Sequence, residues 1–277
     1  MALSRSDFVP ESVTSSPTPV ARGRVWYRPT LSSNHGVYVV LLVSFLTGAA
    51  AAGHWTLSTT LALVCAFAGF QAEHPITRQI RQRRRWKPRF LFWGSIYAGI
   101  SLVAGGYLYL QTPMLLWIYL GAIAALAIDG ISVLYRQQRN YANELLTFTA
   151  VCLSAPLAYL ATTGTLTISV MGLWLLNTLF FSSAIFTVKL RKPKTASLIP
   201  PVVYHIVAAA IVTGLCLLGW LTPIAALSFG IALLKLGFIL LRKDWYRTTR
   251  IYNVAKLETL CGLSFMGIVM MSQFFSM

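Results

Sequence analysis

Nine apolar stretches divide this chain, each roughly 17 to 25 residues and so long enough to cross a bilayer as a helix. They fall at about 37–52, 55–72, 90–110, 114–135, 142–161, 166–188, 202–218, 223–241 and 254–275. None shows the apolar–polar alternation of a barrel strand, and lipid offers no partner to unpaired backbone groups, so helices are the expected spanning element. The predicted fold is all-α: a polytopic bundle of about nine transmembrane spans forming one domain, residues 34–277. Residues 1–33 are rich in Ser, Pro, Thr and Arg with no apolar core. That composition predicts a disordered cytoplasmic tail and not a cleavable signal peptide.

The polar residues between the spans alternate in kind. All 23 lysines and arginines belong to the tail and to every second connection. Four are in the tail, and seven, two, four and six follow, the last figure taking in Lys235 and Lys256 beside the final loop. The other four connections carry none. Positive charge next to a span resists translocation, so the basic side is expected to be cytoplasmic, with the N-terminus inside and the C-terminus outside a bacterial-type inner membrane. Trp26, Trp86, Trp93, Tyr135, Trp245 and Tyr246 at the inner ends, and Trp55, Tyr109 and Trp220 at the outer ends, read as aromatic belts at headgroup depth.

Composition agrees with that reading. The chain is 56% hydrophobic and 11% charged, whereas a soluble domain is about a quarter charged. The net charge of +16 sits in short loops between spans, where topology and attraction to anionic lipid headgroups account for it; no nucleic-acid partner is expected. Cys65, Cys152, Cys216 and Cys261 lie in apolar spans without metal-ligand spacing and read as small hydrophobes.

The candidate chemistry lies toward the inner ends. An ionisable group within a span costs roughly 2.5–3.5 kcal/mol on insertion scales and usually faces a partner or a wet cavity. Asp129, Lys235 and Glu258 lie deepest. Lys235 can snorkel to the interface or pair with Asp129 or Glu258 inside the bundle. The densest constellation runs from Asp129 through Arg136 and Arg139 to Asn143 and Glu144. Asp129 and Arg136 are seven residues apart and share a helical face. Helix-end capping and ion pairing explain this segment without a ligand; arginine forks that hold an anionic headgroup are the alternative. His35, Glu73, His74, Lys189, Arg191 and His205 also fall at inner ends and complete the expected vestibule. The histidines lack the i, i+4 spacing of helical metal ligands, so no metal or other cofactor is predicted. Asn177, mid-span, is expected to hydrogen-bond between helices.

Nine spans with inner-end polar groups are similar in layout to UbiA-type prenyltransferases. That resemblance implies a central lipid-facing cavity and a diphosphate held through Mg²⁺ by aspartate-rich motifs after the second and sixth helices. Here the first position offers only Glu73, beside His74, and the stretch from Lys189 to Lys194 offers no acid. No tight Mg²⁺ site of that type is therefore expected, because Mg²⁺ needs carboxylates. A closer resemblance, over about residues 30–275, is to the YwiC-like family of bacterial membrane proteins. It is carried by Asn34-His35-Gly36 with Tyr38, His74-Pro75 before the arginine-rich loop, Arg139 with Asn143-Glu144, and Leu176-Asn177 with Phe186, Lys189 and Arg191. The resemblance implies a topology and a set of polar positions, and no activity.

Three functional classes follow. The leading one is binding of an anionic, isoprenoid-type amphiphile at the cytoplasmic face, with arginines in place of most of the metal and membrane lipids as partners; whether turnover accompanies binding is open. The second is a small-solute or lipid transporter with Asp129, Glu258 and Lys235 as coupling groups, although the outer half of the chain is poor in polar residues. The third is an assembly factor for a membrane complex.

Overall fold

The computed structural model describes residues 29–32, 35–82, 87–135, 137, 140–192, 195 and 197–274. Twelve helices account for nearly all of them: α1 His35–Ala51, α2 Leu57–Arg81, α3 Pro88–Gln111, α4 Leu115–Leu134, α5 Tyr141–Cys152, α6 Ser154–Thr163, α7 Ile168–Lys189, α8 Ile199–Leu217, α9 Pro223–Leu227, α10 Gly230–Leu241, α11 Lys243–Thr248 and α12 Ile251–Phe274. Seven segments are long and apolar enough to cross a membrane, α5 with α6 and α9 with α10 each counting as one. α1 is shorter but apolar. α2 has the length, but past Ala72 it becomes polar and ends in Arg78 and Arg81. All nine apolar stretches thus lie on helices, in a polytopic membrane protein.

Local chemistry explains the two interruptions and the long α2. The ring of Pro156 would meet the carbonyl of Cys152 four residues back, and the chain breaks at Leu153 between α5 and α6. The second break, between α9 and α10, falls at Ser228, whose hydroxyl donates to the Ala225 carbonyl at 2.6 Å. α2 begins with a capping box in which Thr56 and Thr59 bond reciprocally, satisfying amides that would otherwise lack partners. It continues through Pro75 without ending.

α7 is the axis of the bundle. Across its apolar window 61% is buried, against 17% for α4 at the periphery. Around it lies the main apolar core, in which Phe180 stacks on Phe265 of α12 with centroids 4.0 Å apart. A second core joins α1, α2, α3, α4 and α6 through Phe45, Leu108, Leu115 and Leu160. Backbones touch where side chains are absent: a Cβ on Gly48 would lie 2.0 Å from the Ala155 carbonyl oxygen, and one on Gly172 would lie 2.5 Å from that of Trp220. Small residues of this kind let membrane helices pack closely. Asn177 meets its expected role: its amide donates to Thr47 of α1 at 3.1 Å, and its carbonyl accepts from Ser44 at 3.3 Å.

Of the N-terminal tail, residues 29–32 are described, and they pack against the bundle. The Ser32 amide donates to Gln71 of α2 at 3.2 Å, and the Tyr38 hydroxyl donates to the Ser32 carbonyl at 3.2 Å.

Candidate functional site

Chain direction brings the C-terminal ends of α2, α4, α7 and α10 together with the N-terminal ends of α5, α8 and α12. The predicted site residues that are described lie at this end, in four groups.

The first group joins α2, α4 and α5. The Asn143 amide nitrogen donates to Asp129 Oδ1 at 2.7 Å. This fixes the orientation of the amide, because only its nitrogen can face a carboxylate. Its oxygen is then left buried without a partner. Asp129 makes no ion pair among the described residues. Glu73 lies past the apolar part of α2, where burial, and secondarily the Asp129 charge, push its carboxyl up to about 7. The neighbouring His74 is lowered by burial first and then by Arg78.

The second group is a shielded ion pair between α5 and α7. Lys189 Nζ lies 2.7 Å from Glu144 Oε2 and 3.4 Å from the centroid of Tyr141. Tyr141 stacks on Phe186, which stacks on Tyr204 of α8. Lys189 is only 6% exposed, so the carboxylate and the ring face replace its water.

The third group lies deeper, among α7, α8, α10 and α12. Lys235 Nζ is 2.8 Å from Glu258 Oε2 and donates to Ser183 Oγ at 3.0 Å. The Thr187 hydroxyl lies 3.4 Å from the other carboxylate oxygen, with the Ala184 and Ser183 carbonyls nearer at 3.2 and 3.3 Å. Lys235 is buried at 3% exposure. Of the two readings open for it, the structure takes the intramembrane pair with Glu258, and not the snorkelling one or a pair with Asp129. His205 stands close enough for both charges to act on its ring. Its Nδ1 is 2.6 Å from the Pro201 carbonyl. A carbonyl only accepts, so Nδ1 carries the proton and Nε2 is an acceptor. That Nε2 is buried without a partner.

The fourth group closes the end of α7. Arg191 donates through Nη2 to the Thr249 carbonyl, and its guanidinium sits 6.0 Å from the ring of Tyr246 on α11. Its Nη1 is buried without a partner. Tyr246 is not a belt residue as expected; at 1% exposure it packs with Leu190, Ile239 and Val254. Burial raises its phenol, the Glu258 charge adds to this, and Arg191 opposes it.

Arg136 and Arg139 lie outside the described residues, as does the side chain of His35. Ser183, Thr187 and Tyr141 were not among the residues expected at the site, and Tyr246 was expected only as a belt aromatic. A signal existed for the first two, a Ser and a Thr one turn apart in an apolar span and so on one helical face. Among the described residues no three His, Cys, Asp or Glu side chains come together as metal ligands.

Residues 31–159 match the model of the YwiC-like protein family. The match stops short of the wider resemblance seen in the sequence, leaving Asn177, Lys189 and Arg191 beyond it. No match is found among curated proteins.

Proposed function

We propose that this membrane protein binds an anionic amphiphile at the basic end of its bundle, with Arg191 as the principal headgroup ligand. The observation that carries this reading is an imbalance among three basic groups. Lys189 and Lys235 are each matched by a carboxylate. Arg191 has no carboxylate partner among the described residues, and its Nη1 is a buried donor left unpaired. Leaving such a donor unsatisfied costs about 1–3 kcal/mol, more when it is charged. A phosphate or carboxylate relieves that cost, and the planar guanidinium fork can engage two oxygens of either. Arg136 and Arg139 join the same basic face in this reading. So do nine crossings, a cytoplasmic N-terminus and residence in a bacterial-type inner membrane. No metal is required.

The test is thermal unfolding in detergent with added dihexanoyl phosphatidylglycerol, against the zwitterionic phosphatidylcholine of equal chain length. The anionic lipid should raise the midpoint of the wild type, not that of Arg191→Gln, and partly that of Arg191→Lys. An equal response of all three proteins would sink the reading.

A further inference from the structure

The groups around Lys235 have no role in holding that headgroup, yet they are the most enclosed ionisable set among the described residues. Lys235, Glu258 and His205 together carry no net charge: one ammonium, one carboxylate and one imidazole whose proton is held on Nδ1 by Pro201. What the set lacks is a hydrogen for His205 Nε2, an acceptor at 1% exposure with nothing to accept from. Ser183, which accepts from Lys235, and Thr187, whose hydroxyl reaches the Ala184 and Ser183 carbonyls and Glu258, make no hydrogen bond to it. The aromatic faces of Phe180, 5.9 Å from Lys235 Nζ, and of Tyr204, edge-on to His205, close the surroundings. A proton needs no cavity to reach such an acceptor.

We propose that Lys235, Glu258 and His205 form an intramembrane proton-binding site, and that it takes up a proton when the anion binds at Arg191. This rests on the reading of Arg191 given above. The proton comes from the aqueous phase at the basic end and forms an N–H bond on His205 Nε2. The resulting imidazolium then shares the Glu258 charge with Lys235.

The link between the two sites is short. Thr187, whose hydroxyl lies 3.4 Å from Glu258, is one helical turn before Arg191. Tyr246 stands between, and the charges of both Glu258 and Arg191 act on its phenol. The other titratable group facing the pair is Cys261 on α12. With Arg191 uncompensated, its positive charge opposes a further proton nearby. An anion on Arg191 cancels that charge, and in a poorly screened interior the change reaches the neighbouring site. Reciprocity then requires that a proton on the set tighten anion binding, by about 5-fold or more for an ordinary coupling.

Calorimetric titration of the purified protein with dihexanoyl phosphatidylglycerol tests this, because its phosphodiester does not itself titrate near neutral pH. Run in PIPES and in imidazole, buffers with different heats of protonation, the wild type should show heats that differ by close to one proton taken up per lipid bound. Affinity should fall about 5-fold or more between pH of about 6 and about 8. Uptake should vanish in His205→Phe and in the double variant Lys235→Met with Glu258→Leu, which removes both charges together. Binding heat that is the same in both buffers overturns the inference alone. Uptake that persists in both variants also overturns it. No binding heat in either buffer overturns the reading of Arg191, and the inference with it.

Discussion

Two charged groups at the same end of the bundle are built on opposite plans. Between α10 and α12, Lys235 and Glu258 cancel each other at 2.8 Å, with Ser183 accepting a further bond and the Thr187 hydroxyl close by. Between α2, α4 and α5, Glu73 and Asp129 are like charges, and the described partner of Asp129 is a neutral amide. The first arrangement tolerates burial because each charge supplies the other's missing solvation. The second tolerates it only if one carboxyl keeps its proton. A balanced pair therefore shows its worth when one member is removed, and an unbalanced pair shows it when the pH changes.

The largest effect should come from breaking the balanced pair. Glu258→Ala leaves Lys235 charged and buried and should destabilise the protein by about 3–5 kcal/mol. Lys235→Met combined with Glu258→Leu should bring stability back to within about 1 kcal/mol of the wild type, since replacing a buried pair by apolar groups is often neutral. Thermal unfolding of single and double variants checks both. If the singles are harmless, the pair is not desolvated and the contrast collapses.

The next effect is a pH dependence located at Glu73. Its folded value of about 7 lies above the ordinary 4.5, so between these values the folded state holds more protons than the unfolded one. The stability it contributes is present in full below about 4.5 and is lost as pH rises through about 7, with a swing of about 1–3 kcal/mol. Glu73→Gln should remove that decline and raise stability at pH 8. A variant that keeps the wild-type pH profile would refute the assignment.

Comparable in size is Asp129→Ala, which takes away a short charge-assisted bond to Asn143 and should cost about 1.5–3 kcal/mol. The exposed Asp244 is the control, and Asp244→Ala should stay within about 0.5 kcal/mol of wild type. Equal effects of the two would mean that Asp129 is as solvated as a loop carboxylate.

Much of this contrast was legible in the sequence because the bilayer is a severe solvent. Apolar run length marked all seven membrane-length segments and the shorter α1, and the rarity of acids in spans singled out Asp129 and Glu258. What the sequence left open was pairing across helices. Asp129 and Glu258 both lay within plausible reach of Lys235, and nothing local distinguishes them. The choice is made by the packing of α10 on α12 and α7, which depends on contacts far apart in the chain. Tyr246 was misplaced for a related reason: an aromatic at a span end reads as a belt residue unless α11 is known to turn it inward. The breaks at Leu153 and Ser228 interrupt hydrogen bonding without interrupting hydropathy, so apolar run length passes over them.

Orientation tests the proposed side of the site without altering it. A reporter active only in the periplasm should give signal when fused after Met277 and none when fused near Lys194, and the reverse would place Arg191 on the outer face.

The central claim is that Arg191 holds an anion, and native mass spectrometry of the protein released from mild detergent reads this most directly. The wild type should retain an anionic amphiphile that dissociates on activation, and Arg191→Gln should emerge without it. The same adduct on both proteins, or none on the wild type, would contradict the account.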